Sequence, residues 1–268
     1  MLLYLFVFLF GVVFGSFLNV VILRLPEGQS IAYPGSHCPK CGQKLRWWHN
    51  IPLLSWFLLK GKCAYCQEPI SVQYPLVELG TGALFVGIFS FEPNIYGILN
   101  AVVFALLLAL ALIDLRYKAV PDSLNLTAAL LALLSSPDIV NNLKNALLIA
   151  GTLAMLRFLV SYYVSKKEQL RLQKHIQKAP WLIHYYPRFV MIEAMGEGDV
   201  IVGFALGAIL GIQKTILAIF LAALFALPAS VYFRMRRGEA EVPFIPFLVL
   251  GALVAYIAGD RIWEFAGV

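Results

Sequence analysis

LLYLFVFLFGVVFGSFLNVVIL, residues 2–23, decides the fold class. A helix rising about 1.5 Å per residue crosses a hydrocarbon core of about 30 Å in roughly 20 residues, so a run of this length spans a bilayer. It opens without a basic flank, shows no small-residue cleavage site and is long for a signal-peptide core. A retained first span is therefore expected.

Working outward, the rest of the chain has the same character. Of 268 residues, 60% are hydrophobic and 13% are charged, about half the charged share of a soluble domain. Mean hydropathy is +0.79. Eight spans are expected, near residues 2–23, 75–91, 96–113, 121–136, 142–164, 199–212, 215–233 and 244–259, the fourth and sixth being short for the membrane core. With Met1 outside, seventeen of the 21 Lys and Arg residues fall inside: in 24–62, at Arg116 and Lys118, in 166–188, and in 234–237. Only Lys144, Lys214 and Arg261 fall outside, and Arg157 lies in a span. That asymmetry is what the positive-inside rule demands, and dropping either short span alone would invert every later loop. The net charge of +6 thus reads as topology and contact with anionic lipid, not as a nucleic-acid surface.

The reading is an all-α polytopic membrane protein of about eight transmembrane helices with a small cytoplasmic zinc-ribbon-like insert. Residues 1–25 form the first span, 26–73 the insert, and 74–268 the helical membrane domain, with a cytoplasmic loop at 165–198. The loop opens with SKKEQLRLQKHIQK, a charged, helix-forming stretch that suits a solvated connector or a surface-lying helix. No internal repeat is expected. Gly11 with Gly15, and Gly203 with Gly207 and Gly211, have the small-xxx-small spacing that lets membrane helices approach closely.

The insert holds all four cysteines. Cys38-Pro39-Lys40-Cys41 and Cys63-Ala64-Tyr65-Cys66 are two C-x-x-C knuckles separated by 21 residues. Each presents two thiolates to one ion, and together they complete a tetrahedral zinc site. A reducing cytosol argues against stable disulfides, and a thioredoxin-like dithiol needs a βαβ unit that this insert is too short to form. His37 and His49 are surplus to four thiolates. A closed four-thiolate site leaves no position for activating water, so its role is in folding.

Ionisable groups in or beside spans come next, because burying them in hydrocarbon is costly. Asp114 ends the third span, where it faces the negative end of the helix dipole; pairing with Arg116 or Lys118 is the structural alternative. Asp122, after Pro121, suits an N-cap, and so does Asp199 at the end of Gly196-Glu197-Gly198-Asp199. Glu78 and Arg157 are candidate partners of each other or of the aspartates. Asp114 and Asp199 emerge at the same membrane surface on different spans. Two carboxylates brought together cannot both ionise easily, so one holds a proton while the other activates water, which is aspartic-protease chemistry. Gly196 and Gly198 would allow close backbone approach. No HExxH motif is present, and Ser16 has no evident base.

These residues resemble those of the bacterial type IV prepilin leader peptidases, membrane aspartic proteases of the GxGD type. The likeness runs through Gly15-Ser16-Phe17-Leu18-Asn19-Val20 to Arg24-Leu25-Pro26, the four cysteines, Asn50-Ile51-Pro52-Leu53-Leu54-Ser55-Trp56, and Tyr74-Pro75-Leu76-Val77-Glu78. It continues with Asp114, Val120-Pro121-Asp122, Glu193-Ala194-Met195 before the GxGD, Pro243-Phe244 and Pro246-Phe247. The resemblance implies that Asp114 and Asp199 are the catalytic pair, with Gly196, Gly198, Glu78 and Asp122 supporting. It implies cleavage of a prepilin or pseudopilin leader after a glycine, at the cytoplasmic face of a bacterial inner membrane. It also implies S-adenosylmethionine-dependent methylation of the new N-terminus, although no glycine-rich cofactor loop is visible. Ile201 and Ile245 depart from a lysine and a glycine frequent in the family. A non-catalytic assembly factor of pilus or secretion machinery, and a transporter, are the readings of other classes. Oligomeric state is not legible.

Overall fold

The structure, a computed structural model, describes residues 1–178, 192–193, 196–237 and 242–266. Its helices are α1 (Leu2–Arg24), α2 (Leu54–Leu58), α3 (Gln73–Phe91), α4 (Ile95–Tyr117), α5 (Asp122–Leu133), α6 (Ile139–Lys178), α7 (Glu197–Arg237) and α8 (Ile245–Ala266), with a 3-10 turn at Trp47–Asn50. All but α2 lie on the expected spans. Six of them, α1, α3, α4, α6, α7 and α8, are long and apolar enough to cross a membrane by length and composition.

Lipid tails are as apolar as leucine, so these helices gain little by hiding apolar surface from lipid and associate instead through close backbone contact. Gly11 and Gly15 supply it for α1: a Cβ on Gly15 would stand 2.9 Å from Glu78 Cα on α3. Asn19 ties the same pair together, its amide donating to the Tyr74 carbonyl at 3.1 Å. α4 is the central helix, with 67% of its apolar stretch buried against 17% for α6 and α7. Phe104, Leu107, Leu110 and Ile113 are fully enclosed.

α5 has only 12 residues, about 18 Å, which is short of the hydrocarbon thickness. It ends at Leu133 rather than near 136. Asn142 of α6 satisfies its last turn, donating to the Leu133 carbonyl at 3.0 Å. α6 runs unbroken for 40 residues, about 60 Å. The charged stretch after Ser165 therefore continues the membrane helix as a rod to Lys178; residues 179–191, 194 and 195 of the expected loop lie outside the described residues.

The sixth and seventh expected spans are the two arms of α7. Gly203 and Gly207 pack against α6, with Ala146 Cα 3.0 Å from where a Gly207 Cβ would be. Gly211 does something else. Its φ of 72° and ψ of 178° are non-helical and open essentially to glycine alone. Past it, the Thr215 hydroxyl donates to the Leu206 carbonyl at 3.2 Å, nine residues back, whereas in an unbroken helix a threonine hydroxyl reaches only the carbonyls three or four residues back. The chain turns back there, and the second arm packs on α8, where Gly251 lies against the Ala222 amide. Beyond the turn, Lys214 and Asp260 pair at 2.8 Å.

Candidate active site

Asp114 stands one turn before the end of α4 and is 8% exposed. Its Oδ2 accepts the amide of Ile245 at 3.3 Å. Ile245 is the first residue of α8, so the carboxylate that α4's own dipole disfavours lies against the positive end of another helix. Ile245, fully enclosed, thus acts through its backbone.

Asp199 is the third residue of α7, not its N-cap. Its carboxylate reaches back to accept the Gly196 amide. That is one half of a capping box, with aspartate in the place usually held by glutamate. The charge of Asp114 acts on Asp199, so α4 and α7 bring the two carboxylates together. Gly198 makes the approach: a Cβ there would lie 2.8 Å from both Cβ and Cγ2 of Val120, in the α4–α5 connection. Asn125 of α5 completes the join, donating to the Gly198 carbonyl at 3.1 Å. Gly196 meets nothing closer than the Asp199 carboxylate itself.

Asp122 is the first residue of α5 and is exposed; Pro121 holds the N-cap position, with no side-chain cap bond. The expected N-cap role fails because the preceding proline, with φ already fixed, ends the extended segment one residue earlier. Glu78 and Arg157 are not partners. Arg157 pairs with Glu193 at 3.1 Å and Glu197 at 2.9 Å, bracing the approach to α7 from α6. Glu78, 5% exposed, accepts the Leu53 amide at 2.7 Å, and Ser16 of α1 hydrogen-bonds the same carboxylate.

Glu78 also lines a cavity of about 820 Å³ between the insert and the ends of α1, α3 and α4. Arg24, Trp56, Tyr74 and Arg116 line it too, and both arginine charges act on the Tyr74 phenol. Arg116 is two residues beyond Asp114, so it projects from the opposite side of α4. The last turn of α4 thereby separates the cavity from the carboxylate pair. Spacing alone could not reveal this cavity; the clue was a glutamate placed one turn into an apolar helix.

The four cysteines converge. Their sulfurs lie within 4.8 Å of one another, with Cys38 Sγ 3.8 Å from Cys66 Sγ. A tetrahedron with Zn–S bonds of about 2.3 Å has edges of about 3.8 Å, so the donor set fits zinc. The knuckles repeat each other. Cys38 and Gln43 exchange a backbone bond as Cys63 and Glu68 do, and Leu45 bonds Ser36 as Ile70 bonds Gly61. Residues 36–45 and 61–70 are thus a ten-residue structural repeat, too short and too diverged to show in sequence. The amides of Cys41 and Lys40 hold the Cys38 thiol down to about 6. Cys66, although the Glu68 amide favours its thiolate, is pushed up to about 12 by burial and by its neighbouring sulfurs. A cation removes that mutual repulsion.

The sequence profile of the Type IV leader peptidase family matches residues 101–231, and that of the Bacterial Peptidase A24 N-terminal domain matches residues 9–91. A prepilin leader peptidase/N-methyltransferase of Xanthomonas campestris is 35% identical over 96% of this chain and 93% of its own length. The protein of that name from Neisseria gonorrhoeae is 32% identical over 95% and 90%. The one from Myxococcus xanthus is 35% identical over 88% of this chain, which spans 64% of its length. The chain belongs to the type IV leader peptidase family. No solved structure matches it. The boundary between the two leader-peptidase profiles falls between α3 and α4. The cavity is walled largely from the first matched region, and both aspartates come from, or border, elements of the second.

Proposed function

We propose that this protein is a membrane aspartic endopeptidase that removes the leader of a type IV prepilin or pseudopilin and methylates the new N-terminus. Asp114 and Asp199 form the catalytic pair. The observation that carries the reading is the meeting of these two carboxylates, from α4 and α7, at two helix N-termini. With the charge of Asp114 acting on Asp199, the two carboxylates would share a proton: one activates water for attack on the scissile carbonyl, and the other donates to the departing amine. The Ile245 and Gly196 amides fix the orientation of each carboxylate. The Val120–Gly198 contact sets how closely α7 approaches. Arg157, through Glu197, braces the start of α7.

The cavity is the site proposed for the methyl donor. Its volume lies in the range of small-molecule sites. Glu78 offers a negative charge to a sulfonium, and Arg24 and Arg116 offer positive charge to a carboxylate. S-adenosylmethionine bound there would supply an electrophilic methyl group to an amine. The wall shared through α4 keeps the two reactions adjacent. Zinc on the four cysteines holds the insert over this cavity. The charge distribution supports placing the insert and both aspartates on the cytoplasmic side of a bacterial inner membrane, with Met1 outside.

The test is incubation of the purified protein with a prepilin and methyl donor in lipid nanodiscs, with mass analysis of the product N-terminus. Loss of the leader and gain of one methyl group are expected. An intact prepilin rejects the peptidase reading, and a cleaved but unmethylated product rejects the second activity.

A further inference from the structure

Helix α2 divides cleanly into two faces. Ser55 and Trp56, with Leu59 just past its end, line the cavity, and the Trp56 indole donates to the Ile70 carbonyl at 3.4 Å while its ring packs on Gly61. Leu54, Phe57 and Leu58, at i, i+3 and i+4, point away and are 52%, 66% and 72% exposed. Three large apolar side chains on one face of a single helical turn have no partner in water. Lys60 and Lys62 follow at once, both exposed.

The height of this turn along the bundle says what covers it. Leu53, the residue before α2, donates its amide to Glu78 at 2.7 Å. Glu78 belongs to α3, and its Cα packs against Gly15 of α1. Ser16, which shares the Glu78 carboxylate, is eight residues before Arg24 at the end of α1, about 12 Å down the helix axis. The segment is held at that level against local preference. Leu53 has a φ of 59°, and the Leu54 amide bonds the Pro52 carbonyl two residues back, a strained tight turn for a branched residue. The Glu78 carboxylate fixes it.

We infer that Pro52–Leu59 is a re-entrant segment, with Leu54, Phe57 and Leu58 buried among the acyl chains of the leaflet that surrounds the ends of α1 and α3. Lys60 and Lys62 reach back to the headgroups, as long basic side chains do at a membrane surface. The metal-binding insert is therefore not a freely solvated domain. It is pinned to the bilayer at its middle, between its two knuckles. The inference rests on α1 and α3 crossing a bilayer.

The test replaces Phe57 with p-acetylphenylalanine, which carries a ketone-reactive spin label and leaves all four thiols intact, in the full chain in nanodiscs. Labels in place of Leu9, on the exposed face of α1, and Lys40, on a knuckle, are the references. Collision with dissolved oxygen exceeding collision with a water-soluble nickel chelate at position 57, as at position 9, is the expected result. A chelate-favoured signal matching position 40 overturns the proposal. So does a position 57 that is water-exposed alone and shielded only when prepilin is added, which would make the face a peptide-docking surface. A chelate-favoured signal at position 9 as well overturns the membrane assignment of α1 and the proposal with it. If labelling disturbs the insert, Phe57→Trp gives the second reading: brominated lipid should quench the added indole emission, and an unquenched increment overturns the inference.

Discussion

Gly198→Ala tests whether the α7 approach to the α4–α5 connection sets the position of Asp199. The new Cβ would lie 2.8 Å from Val120 Cβ, 2.8 Å from Cγ2 and 3.0 Å from Cγ1, where ordinary contact begins at 3.4 Å. The start of α7 or the Val120 backbone must then retreat by roughly 0.6 Å, and overpacking of this kind costs about 1–3 kcal/mol. Asp199 is the next residue and moves with it. A misplacement of about 1 Å at a reacting group can cost about 100-fold in rate, so a fall of roughly 10- to 100-fold in kcat for leader removal is expected. KM should change less, because the shift displaces a group proposed to react rather than removing a binding contact. The assay is the single-turnover rate of prepilin cleavage in nanodiscs beside the thermal midpoint of the same preparation. Val120→Ala removes the two methyl contacts and leaves the Cβ contact, so the double variant should recover part of the rate. A Gly198→Ala protein cleaving within twofold of wild type refutes the argument.

Asp114→Asn and Asp199→Asn should each lower cleavage by at least about 100-fold while the protein still accumulates in the membrane, since an amide neither activates water nor donates the acid's proton; Asp122→Asn, on an exposed residue, should stay near wild type in the same assay. Serine at Cys38, Cys41, Cys63 or Cys66 should release stoichiometric zinc, read by metal analysis, and loosen residues 26–73 to protease while the spans remain inserted. Gly207→Leu should lower the thermal midpoint, because its side chain must enter where Ala146 Cα and the Asn145 carbonyl stand 3.0 Å from a Cβ. Glu78→Gln keeps an acceptor for the Leu53 amide but removes the charge facing the cavity, so methylation should fall further than cleavage, as read from the masses of the products.

The membrane-spanning pattern was legible because hydrocarbon thickness imposes a length that composition reports directly, and the cysteine knuckles because ligand spacing is local. Long-range partnership was not. Glu78 and Arg157 look alike in sequence, each a charge inside an apolar run. Yet one faces a strained loop 25 residues upstream and the other the approach to α7. Asp199 as third residue rather than N-cap depended on where α7 starts, and helix ends are the least determined part of any pattern. The Gly203, Gly207 and Gly211 series hid a change of role, since a glycine that packs and a glycine that breaks a helix share one letter. The Ile245 amide left no trace, because a backbone donor is available at every residue.

The reversal at Gly211 has a mechanical reading. The first arm of α7 carries Asp199 and packs on α5 and α6; the second arm packs on α8, whose first amide holds Asp114. One arm thus carries Asp199 itself, and the other packs on the helix whose amide holds the Asp114 carboxylate, with the turn at the far end of α7 between them. The first arm, Glu197 to Leu210, has no interruption and reaches about 20 Å. Over that radius a rotation of about 3° at the pivot moves the tip by about 1 Å, the scale on which reacting groups fall in or out of line. One glycine at the opposite end of α7 therefore bears on the spacing of two carboxylates that it never touches.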